Sequence, residues 1–332
     1  MRPIDSPRAL MACAVAGVFV MAAMASLSFG ALAVSVDQVW LALWAPEPGA
    51  IPQLIVRSER LPRTLMAMGV GSALAVAGVL MQAMTRNPLA SPGLLGINAG
   101  AMFALVVAGV LGWVQSAQSM VWASFLGAAM AALLVQWLAG QQRDTRQLSI
   151  VLAGVAVSAL FVAFSQALLV MDQGRLDQLL FWLAGSVAGR DIGVMIPLWP
   201  WWGGALLLSM LSWRWLNILG LDDAVIQGLG QSPVRLRLGL STLVVALAGS
   251  AVAMAGLIGF VGLVVPHLTR LLFGQDHRWV LPMSALLGAA LLVLADTLAR
   301  LVIPPQDIPV GIMTALVGVP FFIMLARRGG RS

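Results

Sequence analysis

The sequence predicts an all-α, polytopic membrane protein of about ten transmembrane helices, forming one transmembrane domain over 1–332. Apolar residues make up 60% of the 332 positions and charged residues 10%, against roughly 25% charged in a soluble domain. The longest apolar runs, 9–33, 62–84 and 148–171, each match a membrane span, since crossing roughly 30 Å of hydrocarbon takes about 20 apolar residues. These runs are continuous rather than alternating. Inside hydrocarbon only helices and closed barrels satisfy their own backbone, so a helical bundle follows and a soluble protein is excluded.

The first run, 9–33, follows Arg2 and Arg8 and has the outline of a signal peptide, with Ala31, Leu32 and Ala33 as a small-residue cleavage pattern. It exceeds the usual h-region of about 7 to 15 residues and is read as a retained first helix. Further spans are expected at 62–84, 93–112, 116–139, 148–171, 192–213, 236–256, 258–273, 279–302 and 308–326, the eighth of the ten short and proline-containing. An even number puts both termini on one side. Placing them in the cytoplasm puts thirteen arginines inside (Arg2, Arg8, Arg86, Arg143, Arg146, Arg214, Arg235, Arg237, Arg270, Arg278, Arg327, Arg328, Arg331) and six outside (Arg57, Arg60, Arg63, Arg175, Arg190, Arg300). Excess cationic residues in cytoplasmic loops favour that orientation.

All 19 cationic residues are arginine, and they are scattered over many loops. Topology explains the net charge of +6 better than nucleic acid, which needs a clustered basic face. Trp40, Trp44, Trp199, Trp201, Trp202, Trp213, Trp215 and Trp279 stand near run ends and read as interfacial anchors. The single Cys13 lies in the first run, reads as a packing residue and supports neither a disulfide nor a cysteine metal site.

An internal repeat is visible. Ala75–Gly96 aligns without gaps to Ala253–Gly274, matching Gly78 with Gly256, Pro88 with Pro266 and Gly96 with Gly274. The first copy begins at an outside end and the second at an inside end. That is the pattern of an inverted repeat, with halves 60–190 and 235–328, whose glycine and proline breaks flank a transport pathway.

No enzyme site stands out. The chain has no GxxxxGK loop, and its only histidines, His267 and His277, are ten residues apart without metal-ligand spacing. His267, after Pro266, reads as a hydrogen-bonded structural residue rather than a proton relay. Asp296 and Arg300 lie four apart in a predicted helix near its outside end and can pair. Ion coupling usually needs carboxylates in mid-membrane, and these are missing. A transporter built on this chain would therefore borrow its energy from a separate ATPase.

Four segments carry a resemblance. RLPRTLMAMGVGSALAVAGVLMQAMTRNPLASPGLLGINAGA (60–101), FWLAGSV (181–187), GLIGFVGLVVPHLTR (256–270) and LADTLARLVIPPQDIPVGIMTALVGVPFFIMLARR (294–328) resemble, in order, the FecCD family of ABC importer permeases for iron(III) siderophores, haem and vitamin B12. SPGLLGIN is most similar to the ferric dicitrate permeases. The resemblance implies a type II ABC importer permease fold of ten helices in the bacterial inner membrane. It implies as partners a second permease subunit, identical or similar, two cytoplasmic ATPases that bind ATP and magnesium, and a periplasmic substrate-binding protein. This chain is expected to bind no cofactor and no metal of its own.

By the same resemblance, Arg60, Arg63 and Arg300 receive acidic residues of the binding protein. Asn87, Pro88, Leu89 and Ala90, with Arg143, Asp144, Thr145 and Arg146, form cytoplasmic gate segments. The loop Asp222 to Arg237, with Asp222, Asp223, Ala224, Leu229, Gly230, Arg235 and Arg237, docks the ATPase. The residues themselves fit these roles. Gly230 breaks an apolar-spaced stretch and allows a sharp turn between two short helices, although a solvated loop has the same pattern. Two prolines within NPLASPG prevent a regular helix, as a gate or a plain interhelical turn requires. Different in class are an ion-coupled secondary transporter or channel working without ATP, and a membrane scaffold with no transport. Within the family, siderophore, haem and B12 transport are poorly separated, because the binding protein supplies much of the specificity.

Overall fold

A computed structural model of the protein describes residues 6–30, 32–47, 49–139, 146–171, 182–189, 193, 196–303 and 306–329. The first helix, α1, spans Ser6–Ser28, and a short α2, Val36–Trp44, follows. The chain then rises through α3, Ile51–Ile55, a π-turn over Val56–Arg60 and α4, Leu61–Thr85. The apolar pattern starts this span at 62, with the charged stretch before it as a loop. The helix instead continues through it. Pro62 has no N–H to return to the ladder, and the chain answers with a single π-turn in which the Leu61 N–H bonds the Val56 carbonyl.

After a 3-10 turn at Pro92–Leu95 come α5, Ile97–Val110, α6, Ala117–Ala139, and α7, Arg146–Met171. The expected span 192–213 is a single apolar helix over its described residues, Ile196–Leu211. It comprises a 3-10 turn at Ile196–Leu198 followed by α8, Trp199–Leu211, and Trp213 opens a separate short α9, Trp213–Leu219. The Arg214 guanidinium lies 5.1 Å from the Trp213 ring. Next come α10, Asp223–Gly228, α11, Pro233–Ala255, α12, Val261–Phe273, α13, His277–Leu301, and α14, Val310–Gly329. Among the described residues, six helices are long and apolar enough to cross a membrane and four shorter apolar ones accompany them, in keeping with the ten expected spans.

The core is α4, the most enclosed of these spans, which packs chiefly on α13 and α11. Small residues allow that closeness. A Cβ on Gly71 would lie 2.2 Å from the Gly288 carbonyl oxygen, so α4 and α13 cross backbone to backbone, as small residues permit in membranes. At α12, 13 residues rise only about 20 Å, short of the hydrocarbon thickness. The segment before it therefore holds irregular backbone at membrane depth.

The gap-free repeat register meets dissimilar surroundings. Gly78 sits mid-helix in α4 whereas Gly256 caps α11, and Pro88 lies in a turn whereas Pro266 is inside α12. An inverted repeat relating the two halves would need another register.

Candidate functional site

Three places gather the residues singled out above. The first is at the end of the bundle where α1 begins and α14 finishes. There α4 stops at Arg86, whose left-handed backbone (φ 49°) turns the chain aside. Asn87 Oδ1 accepts the Leu89 N–H at 2.9 Å, and the Ala90 N–H donates to the Asn87 carbonyl at 3.1 Å. The two bonds make a compact turn. Asn87, Pro88 and Leu89 are exposed on it and Ala90 is buried. Arg143, Asp144 and Thr145 lie outside the described residues, and Arg146 is described only as the first residue of α7.

Arg86 joins this turn to the 222–237 segment. Its guanidinium donates to the Leu219 carbonyl at 3.1 Å, to the Leu221 carbonyl, and to Asp223 Oδ1 at 3.1 Å. Asp223 in turn accepts two bonds from Arg237, at 2.6 and 2.9 Å. Arg237 is buried and Asp223 is 44% exposed. The Arg237 hydrogen bond, with the positive charges of Arg237 and Arg86, holds the Asp223 carboxyl below the usual aspartate value.

The segment between these contacts is a projecting knob. Ile226 is buried while Leu221, Val225 and Leu229 are exposed. The Gly230 N–H bonds the Gln227 carbonyl and the Gln231 N–H bonds the Ile226 carbonyl, with Gly230 at φ 74°. This is a Schellman turn, whose left-handed residue is usually glycine. Asp222 and Ala224 are exposed on the same knob and Arg235 is exposed in the first turn of α11, and Asp222 stands 3.8 Å from Arg86.

At the opposite end the three expected arginines do converge, around a cleft of about 250 Å³. They are not a free cationic patch. Arg60 is 5% exposed and donates to the carbonyls of Leu27 and Ser28 at 2.8 Å and of Leu32. Arg300 is 8% exposed and donates to Ser26 Oγ at 2.8 Å and to the Ser26 and Phe29 carbonyls. The chain leaving α1 has unsatisfied C-terminal carbonyls, and these two guanidinium groups cap them. Arg63 grips Asp296 with Nε and Nη2, at 2.8 to 2.9 Å, and reaches Asp307 at 2.6 Å. The expected pairing of Arg300 with Asp296 is present at 3.4 Å, but Arg63 is the closer partner.

The third place is the irregular backbone. The Ser186 N–H bonds the Ala255 carbonyl at 2.8 Å, and the Gly311 N–H bonds the Gly185 carbonyl at 3.1 Å. Gly185 and Ser186 thus join Ala255 and Gly311 across three segments, as backbone at membrane depth must. Gly185 and Gly256 hold positive φ there, of 71° and 75°.

Residues 18–328 match the model of the FecCD transport family. The chain belongs to the FecCD family. Among its FecCD relatives, the probable siderophore transport system permease YfiZ of Bacillus subtilis (strain 168) is 45% identical over 311 residues, covering 93% of each chain. The Fe(3+) dicitrate transport system permease FecC of Escherichia coli (strain K12) is 37% identical, covering 99% of this chain and 100% of FecC. A solved inward-facing structure of a metal-chelate type ABC transporter superposes with a TM-score of 0.83 at 31% identity, covering 95% of this chain and 98% of that one. As a FecCD permease the chain is a transport subunit rather than an enzyme.

Two residues of this FecCD site carry no signal in the sequence: Arg86 reads only as a cytoplasmic charge, and nothing marks Asp307. Their partners are 133 to 137 and 244 residues away in sequence, so no local pattern marks them.

Proposed function

We propose that the chain is the membrane-spanning permease subunit of a binding-protein-dependent ABC importer that carries an iron(III)-siderophore, ferric citrate among them, across the bacterial inner membrane. Both termini lie in the cytoplasm. The partners are a second permease subunit, two cytoplasmic ATPases that bind ATP and magnesium, and a periplasmic binding protein. Relatives named for siderophore, ferric citrate and ferric dicitrate transport support the substrate class.

The observation that carries the coupling is the Arg86–Asp223–Arg237 joint. The knob from Leu221 to Leu229 exposes apolar side chains that suit a groove on an ATPase. Through Asp223 that knob grips Arg86, the residue immediately before the Asn87–Ala90 turn. Movement of the knob is thereby passed to the turn, which acts with the segment 143–146 as the cytoplasmic gate. Asp296, held between Arg63 and Arg300, is engaged in ion pairs, which speaks against a proton-coupled carrier.

At the periplasmic end the binding protein docks around Arg57, Arg63 and Asp307. Arg57 is exposed and makes no ion pair among the described residues, and Arg63 lines the rim cleft with Asp307. Arg60 and Arg300 hold the rim in shape from beneath.

The test is reconstitution of the chain with its ATPase, its second permease and its binding protein in proteoliposomes. Uptake of iron-55 siderophore should require ATP and the loaded binding protein. Uptake driven by a proton or sodium gradient without ATP would overturn the reading.

A further inference from the structure

A second cavity, of about 460 Å³, lies at the end of the bundle where α4 stops, between α4, α9, α12 and the start of α13. Gln82, Arg86, Leu216, His267, Arg270 and His277 line it. Its chemistry is cationic and incompletely matched. Arg86 has Asp222 and Asp223, but Arg270 has no carboxylate partner among the described residues. Its Nη1 donates instead to Gln82 Oε1 at 2.5 Å, and Gln82 Nε2 donates to the Gly262 carbonyl. A guanidinium is always charged, and burying one without a counter-ion costs free energy that a bound anion would offset.

The wall holds a second mismatch. His277 Nδ1 lies 2.7 Å from Asn217 Oδ1, which also accepts the His277 backbone N–H. An amide oxygen only accepts, so Nδ1 is the protonated nitrogen and Nε2 of the neutral ring is an acceptor. That Nε2 is buried without a partner. A bound anion supplies the negative charge that Arg270 lacks, whereas the His277 Nε2 is closed to solvent and to such a ligand. Leu271 also lines the cavity and is 69% exposed, so the polar wall continues directly onto an outward apolar surface.

We propose that this cavity binds a phosphate-bearing anion, and that the phosphate is supplied by the headgroup of an anionic phospholipid whose acyl chains run over Leu271. Basic pockets between helices are a known form of headgroup recognition. Because Arg86 belongs both to the cavity and to the Asp223 joint, the bound phosphate steadies the knob at its root.

The test uses the full-length chain extracted with its associated subunits in mild detergent and then stripped of lipid. Phosphatidylglycerol should raise the thermal midpoint, while phosphatidylcholine should not. Native mass spectrometry should find retained phosphatidylglycerol reduced about fivefold by Arg270→Gln, the factor that one cation near a membrane surface contributes. Arg270→Lys should retain most of the lipid, and Arg278→Gln, at an exposed arginine outside the cavity, should retain all of it. Stabilisation by inorganic phosphate alone, lost in Arg270→Gln, would uphold the phosphate site and assign it to a soluble anion. Equal lipid retention by wild type and Arg270→Gln, together with no response to inorganic phosphate, would overturn the site.

Discussion

Arg86 and Asp223, 137 positions apart, meet through a 3.1 Å hydrogen bond that ties the end of α4 to the start of the exposed knob. Exposed pairs of this kind contribute only about 0.2 to 1 kcal/mol, so the fold does not depend on it. Transmission does. Asp223→Asn and Arg86→Gln should each reach the membrane in normal amount, hydrolyse ATP in the assembled complex, and transport several-fold less substrate per ATP. Proteoliposome uptake measured alongside phosphate release checks this, and unchanged stoichiometry would remove the joint from the mechanism.

The same pair sets an acid limit. Arg237 and Arg86 lower the folded pKa of Asp223, so its contribution is fully present above the unfolded aspartate value of about 3.9 and is lost as pH falls through the lower folded value. Hydrogen-exchange protection of 223–229 should be flat from about pH 5 to 8 and decline below about pH 4. In Asp223→Asn it should be low throughout and show no such step.

Gly230→Val tests the turn. At φ 74° a side chain costs about 1 to 2 kcal/mol, and nothing lies within 4 Å of a Cβ there, so the whole penalty is backbone strain. The variant should assemble in the membrane but bind its ATPase more weakly, as co-purification would measure. Full ATPase retention with normal uptake would clear the segment of a coupling role.

The arginines at the opposite end divide by burial. Arg60→Glu sets a carboxylate against the carbonyls of Leu27 and Ser28 and should lower the amount of folded permease, as should Arg300→Glu. Arg57→Glu lies on the exposed face of the π-turn. It should leave expression unchanged while weakening binding-protein affinity about three- to tenfold, more so at low salt. Immunoblots and titration with the binding protein separate the two effects.

Leu89 is 39% exposed on the turn after α4, where a gate needs it. In a Cys13→Ala background, required because Cys13 is itself exposed, Leu89→Cys should crosslink between the two permease subunits with a yield that changes with nucleotide. A yield of zero in every nucleotide state of an assembled complex would count against the gate.

Composition and run length by themselves determined that this is a helical membrane protein, because hydrocarbon leaves a backbone few ways to satisfy its polar groups. The Gly230 turn was legible too, since only a residue without a Cβ enters the left-handed region freely. Arg60, Arg63 and Arg300 could be grouped from topology, but a position on a predicted surface does not reveal what a guanidinium touches. Tertiary packing decided that two of them cap the carbonyls leaving α1 while the third grips Asp296 and Asp307. It also decided that Arg86 reaches the knob and that the helix runs through the charged stretch before Pro62. Each of these depends on atoms far apart in the chain being brought within hydrogen-bond reach, and no local pattern of residues encodes that distance.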